Sequence, residues 1–241
     1  MKTTDYLESK LDRLPNGHVF TYSEILKEVS RKEAVIKALN RMVASGKLIK
    51  LAKGKFYKPE NTPFGTLQPN QEQVVKDLLK ERGKIIGYLT GYSIYNQLGL
   101  STQVSNSVQI GKNQIRPNFN RERYSIAIIR QSNPITKGNI PFLQLLDAIR
   151  YIKKIPDSTV EQSCRRLLAI LINFSEKDLV TLVRLSLNYP PATRALLGAL
   201  LEQLTYKTAT APLAKSLNPI TRYKLPGVAK VLSTTEKWNL K

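Results

Sequence analysis

The chain has 241 residues, 41% of them hydrophobic, with 38 Lys or Arg against 18 Asp or Glu and a formal net charge of +20. That apolar content excludes a disordered chain, and the charge favours polyanionic partners: nucleic acid first, an acidic membrane or protein second. The single cysteine, Cys164, excludes an intrachain disulfide and points to a reducing compartment.

No apolar run reaches the roughly 18 residues of a membrane span. The N-terminal "MKTTDYLESKLDRL" lacks the apolar core of a signal peptide, so the expected location is the cytoplasm, with no membrane partner.

In chain order, Tyr6, Leu7, Leu11 and Leu14 fall at helical spacing and predict a helix over 4–14, ended by "PNGH" at 15–18. Thr21 and Glu24 have the spacing of a capping box and open a second helix with Ile25, Leu26 and Val29 inward. Ser30 and Glu33 repeat that spacing and predict a third helix over 31–45. Ala34, Val35, Ala38, Leu39, Met42 and Val43 lie on one side of it, and Lys37, Asn40, Arg41 and Ala44 on the other. Gly46 suits the helix end. The period then changes: "KLIKLAKGKFYK" reads as a β-hairpin around a Lys-Gly-Lys tip. Pro59, Pro63, Gly65 and Pro69 mark a linker. Three helices and a hairpin in this order form the pattern of a winged helix-turn-helix.

Beyond the linker, residues 69–83 predict one helix ending at Gly83, followed by a short strand and a helix in "KIIGYLTGYSIYNQLGL". Residues 103–132 predict two to four strands, with Val104, Val108, Ile110, Ile115, Ile126, Ile128 and Ile129 as inward candidates. Helices are expected near 141–153, 157–173, 175–188 and 191–204. The fold class is therefore α+β: an N-terminal winged helix-turn-helix over 1–68, then a mixed domain over 69–205 with a small sheet and a helical bundle. A tail over 206–241 follows. Residues 205–241 hold seven basic groups and one acid, which makes them the most basic segment for their length.

The stretch from Ser30 to Glu60 carries nine Lys or Arg against two acids. Arg31 and Lys32 stand at the start of the third helix, where base edges are read in this architecture, with Lys37, Asn40 and Arg41 along its polar side. Arg bonds guanine bidentately and Asn does so with adenine. Lys53 and Lys55 flank Gly54, which permits a tight tip able to reach phosphate. These seven residues are the candidate DNA contacts, against the plainer reading of a solvated basic face. Arg116, Arg121, Arg123 and Arg130 fit two readings equally well: a second basic surface, or charge placed on strand edges to resist aggregation.

Tyr88, Tyr92 and Tyr95 fall at i, i+4, i+7 on an expected helix, spacing that favours core over base stacking. Catalytic signals are poor. His18 is the only histidine and sits in a turn; Cys164 lies on an apolar helix face as a packing thiol. "GKIIGYLTG" lacks the spacing of a phosphate-binding loop. Asp157 and Glu161 suit a helix start without any chemistry. No active site, metal site or cofactor is expected.

Four stretches carry a resemblance to a known family: "GKLIKLAKGKFYKP" (46–59), "IIGYLTGYSIYNQLGLSTQVSN" (85–106), "LLDAIRYIKKIPD" (145–157) and "LNPITRYKLPG" (217–227). The chain resembles the AbiEi-type antitoxins of bacterial abortive-infection, type IV toxin–antitoxin systems, over roughly residues 1–225. The resemblance implies an N-terminal winged helix that binds inverted repeats in the operon's own promoter and represses it. It also implies a C-terminal antitoxin domain that counters a cognate nucleotidyltransferase-like toxin, in several systems without a stable complex. Arg31, Lys32, Lys37, Asn40, Arg41, Lys53 and Lys55 match the recognition helix and wing. No residue of 69–204 takes an antitoxin role from a matching motif. The basic tail departs from the pattern, as extra DNA contact or as a strand closing the C-terminal domain. The expected function is antitoxin and autorepressor, without enzyme activity. The alternatives are a winged-helix regulator with a ligand-sensing C-terminal domain and a nucleic-acid-processing enzyme.

Overall fold

The computed structural model describes residues 3–26 and 32–241, and the chain is α+β. It divides into two compact units. The first comprises Met1–Asp77 with Phe119–Ser125, and the second Leu78–Asn118 with Ile126–Lys241.

In the first unit the order is α1 (Thr3–Asp12), β1 (Val19–Thr21), α2 (Tyr22–Leu26), α3 (Lys32–Ala44), β2 (Ile49–Ala52) and β3 (Lys55–Tyr57). Thr21 and Glu24 form the reciprocal capping bonds expected from their spacing, Thr21 N to Glu24 Oε2 at 3.4 Å and Glu24 N to Thr21 Oγ1 at 3.3 Å. The Ser30 cap lies outside the described residues. The three strands make an antiparallel sheet in the order β1-β3-β2, with Phe20 opposite Phe56. Those two rings stack at 6.1 Å and join Leu7, Leu11, Val35, Leu39 and Met42 in one core.

The hairpin tip depends on Gly54. Its φ is +72°, and a Cβ there would meet the Tyr22 ring at 2.4 Å, so both the backbone and the packing exclude a side chain.

The expected linker is itself folded, as a small hairpin of β4 (Glu60–Thr62) and β5 (Gly65–Leu67). The expected single helix over 69–83 is instead three pieces: α4 (Gln71–Val74), α5 (Lys76–Leu79) and the hairpin β6 (Lys80–Glu81) with β7 (Lys84–Ile85). The break falls at Val75, φ −115°, next to Val74, whose carbonyl accepts from the Arg121 guanidinium at 2.6 Å. The hairpin turn takes positive φ at Arg82 and Gly83, so Gly83 is a turn residue rather than a helix terminus.

The chain continues with β8 (Tyr88–Thr90), α6 (Tyr92–Tyr95) and β9 (Ser107–Lys112) in the second unit, then β10 (Phe119–Arg121) and β11 (Tyr124–Arg130). The strand order is β10-β11-β9-β8, with β10 and the first two residues of β11 counted with the first unit. Val108, Ile110 and Ile126 are buried as expected. Val104 and Ile115 are 91% and 65% exposed, because each lies in irregular chain outside the strands, where alternation has no sheet face to point to. Tyr88 stands on a strand, not on the helix of Tyr92 and Tyr95; Tyr88 and Tyr95 are core all the same.

Five helices follow: α7 (Ile140–Arg150), α8 (Val160–Leu171), α9 (Glu176–Ser186), α10 (Pro191–Gln203) and α11 (Lys207–Lys215). Thr159 with Gln162 and Ser175 with Asp178 form capping boxes that fix the starts of α8 and α9. Asp157 lies ahead of α8 at φ +51°, so it is a turn residue and not part of the helix start. Leu143, Leu146, Leu167, Leu182, Leu196 and Leu200 are all buried in the shared core, together with Cys164, whose thiol burial pushes up to about 12.

The tail is part of this unit. Tyr223 pairs with Leu240 in a parallel bridge, and Trp238 packs over Gly198 of α10. The tail therefore packs on the second unit, but through a single bridge and the buried indole rather than as the closing strand expected.

Candidate nucleic-acid interface

α3 carries a two-sided sequence into a two-sided helix. Val35, Ala38, Leu39 and Met42 are buried, while Lys32, Lys37, Asn40 and Arg41 are exposed. Arg31 lies outside the described residues. Lys53 is exposed at the hairpin tip, and so is Lys50 on β2, a cation that sequence reasoning passed over because the strand period there was irregular. The three-stranded sheet and the core beneath α3 hold this face and the hairpin on one unit.

Lys55 is not part of that exposed set. Its ammonium sits 2.5 Å from Asp77 Oδ2, with the side chain 16% exposed. Arg121, expected on a second basic surface, is buried. It donates to both Asp77 oxygens at 2.6 and 2.8 Å and to the Val74 carbonyl. Both cations are structural clamps around one carboxylate. Burial alone would raise the Asp77 carboxyl, but hydrogen bonds from Arg121 and Lys55 outweigh it and bring it down to about 2. Burial lowers the Lys55 amine by disfavouring its charged form, against the Asp77 hydrogen bond and charge, with Arg121 and Lys76 adding to the lowering. The Asp77 direction governs the cluster, since two cations face one anion.

Since the folded pKa lies below the ordinary value of 3.8, Asp77 contributes stability that is present above about pH 4 and is lost as pH falls through 2. Melts of the wild type and of Asp77→Asn should differ most near neutral pH and converge toward pH 2. A constant difference across that range would contradict the clamp.

Of the remaining arginines, Arg123 is exposed beside the Tyr124 ring in the first unit, and Arg116 and Arg130 are exposed in the second. The four are thus divided between two units. His18 is half-exposed in its turn, and burial followed by the Lys76 charge lowers its pKa. Among the described residues no cluster of three His, Cys, Asp or Glu can hold a metal. No helix among them is long and apolar enough to cross a membrane.

The second unit holds a polar centre that sequence reasoning missed. Asp147 of α7 is buried and accepts from Tyr88 (2.8 Å), Thr90 (2.8 Å) and Tyr189 (2.9 Å). Gln131 donates to both tyrosine hydroxyls at 2.8 Å, and its carbonyl oxygen accepts from Asn133. Burial pushes the Asp147 carboxyl up, against the three hydroxyls and the nearby Arg150 charge. It also keeps the Tyr88 and Tyr189 phenols protonated, and so able to donate. Every member is satisfied within the network, which ties β8, α7 and the chain around Tyr189 together. The sole sequence signal was an Asp inside the apolar run "LQLLDAI".

Residues 6–117 match a protein family described as a family of unknown function (DUF6088). No curated protein matches the chain. The crystal structure of the RV2827C protein from Mycobacterium tuberculosis is similar over 100% of this chain and 91% of that one. Its TM-score is 0.63 at 13% identity, a likeness of fold alone.

Proposed function

We propose that the chain is a winged-helix DNA-binding protein that represses its own promoter and serves as the antitoxin of a type IV toxin–antitoxin system. The observation that carries the DNA-binding half is the face of α3. Four polar or cationic side chains stand exposed on one side of a helix whose other side is anchored in the core, next to an exposed Lys53 at the hairpin tip. In this reading α3 enters the major groove, Arg41 and Asn40 read base edges, and Lys50 and Lys53 hold phosphate. Arg41→Ala should weaken binding to the native upstream region by about 1–3 kcal/mol. An unchanged operator titration would remove Arg41 from the interface, whereas a Lys55→Ala change should act on stability instead.

The antitoxin half rests on the resemblance to AbiEi-type antitoxins, whose toxin partners are nucleotidyltransferase-like. Co-expression with the product of a neighbouring gene of that type tests it: rescue of growth supports the assignment, and continued toxicity opposes it.

A further inference from the structure

The basic C-terminal segment closes a cavity in the second unit. Tyr223 N donates to Asn239 O at 2.8 Å, and Lys241 N donates to Tyr223 O at 2.9 Å, so the end of the chain clamps residues 222–225 in place. Against α7 and α10 this segment bounds a cavity of about 260 Å³. Arg150, Lys153, Arg222 and Lys224 line it, and no Asp or Glu does so among the described residues. Lys153 donates to the Lys224 carbonyl at 3.3 Å and Arg150 acts on the Asp147 carboxyl, but the lining itself offers four cations and no carboxylate, an arrangement that favours an anion.

The rest of the lining is different. Leu196, Leu225 and Leu240 supply apolar wall, and Tyr223 adds an aromatic side chain to it. Thr193, in the first turn of the 13-residue α10, also lines the cavity, where the helix dipole favours negative charge. Inorganic phosphate would leave the apolar wall unfilled, and an apolar ligand would leave the cations unneutralised. A ligand with a phosphate at one end and a flat, largely apolar ring system at the other satisfies both.

We propose that this cavity binds a mononucleotide, with its phosphate among Arg150, Lys153, Arg222 and Lys224 and its base against Tyr223 and the leucine wall. The site lies apart from α3 in the sequence and does not depend on the DNA-binding reading. It gives the basic tail a role as half of a ligand site.

Isothermal titration calorimetry of the full chain with AMP tests this, with adenosine and inorganic phosphate as controls. Saturable 1:1 binding of AMP is expected, with both controls weaker. Arg222 and Lys224 are exposed, so Arg222→Ala/Lys224→Ala should fold normally and weaken AMP binding by about tenfold or more. Should that variant fail to fold, Arg222→Gln/Lys224→Gln takes its place. Lys37→Ala/Arg41→Ala on α3 should leave AMP affinity unchanged. Absence of saturable AMP binding would overturn the proposal. So would full affinity in the tail variant, a loss caused by the α3 variant, or phosphate binding as tightly as AMP.

Discussion

Replacing Trp238 with alanine is expected to cost about 3–5 kcal/mol of stability in urea denaturation, the range for removing a fully buried large aromatic. Trp238 is 2% exposed and lies three residues from the end of the chain's sequence. Its ring occupies the space a Cβ at Gly198 would need, since that atom would meet the indole at 2.2 Å. Its Nε1 donates to Glu202 Oε2 at 3.0 Å, and the same carboxylate accepts from Thr210 and from Lys237. Removing the indole therefore opens a void over α10 and deprives a buried carboxylate of a donor. Trp238→Phe, which keeps a six-membered ring but loses the pyrrole half of the indole with its N–H, should cost about 1 kcal/mol from the hydrogen bond and a further loss from the smaller ring. Limited proteolysis should cut the tail of Trp238→Ala well before that of the wild type. A loss below about 1 kcal/mol, with the tail still protected, would mean that the indole does not anchor it.

Asp147→Ala is the second large effect. It leaves the hydroxyls of Tyr88, Thr90 and Tyr189 without their shared acceptor in a buried site. Each unpaired buried group costs about 1–3 kcal/mol, so a total of about 3 kcal/mol or more is expected. The second unit should lose cooperative unfolding first, because β8, α7 and the chain around Tyr189 all meet at this carboxylate. Asp147→Asn preserves the shape and one acceptor oxygen and should be milder. Comparing Asp147→Leu with Asp147→Leu/Tyr88→Phe separates the network from simple volume, since both fill the site: recovery in the double variant shows that the unpaired Tyr88 hydroxyl was a cost. Equal destabilisation of all these variants would point to packing alone.

Much of the fold was legible in the sequence wherever one periodicity ran without interruption. The face of α3, the Lys-Gly-Lys tip and the four helices between 140 and 203 follow from apolar spacing, while the capping boxes of α8 and α9 went unread. The expectation failed where a distant residue redirected a local preference. Residues 69–83 read as a single helix because nothing near them reveals that Arg121 captures the Val74 carbonyl and the Asp77 carboxylate. The same clamp explains why Lys55 and Arg121 looked like free surface charge: their common partner lies 22 and 44 residues away, at Asp77 (77 − 55 and 121 − 77). Asp147 was invisible for a related reason, as its donors come from residues 88, 90 and 189. The basic tail could not be placed from its prolines, and its position is set by Trp238 and by pairing with the chain's last residues.

The central claim is that the exposed face of α3 reads DNA. Fluorescence anisotropy on the protein's own upstream region, with a scrambled duplex as competitor, tests it most directly at two salt concentrations. The expected result is tight binding to the native repeats that the scrambled duplex does not displace, with a log–log salt slope of about −5 if about six phosphates are neutralised. Lys37→Ala/Arg41→Ala should abolish the preference while leaving a weak, salt-sensitive grip. Equal affinity for both duplexes, unchanged in that variant, would contradict the claim and reduce the net charge of +20 to a general attraction for polyanions.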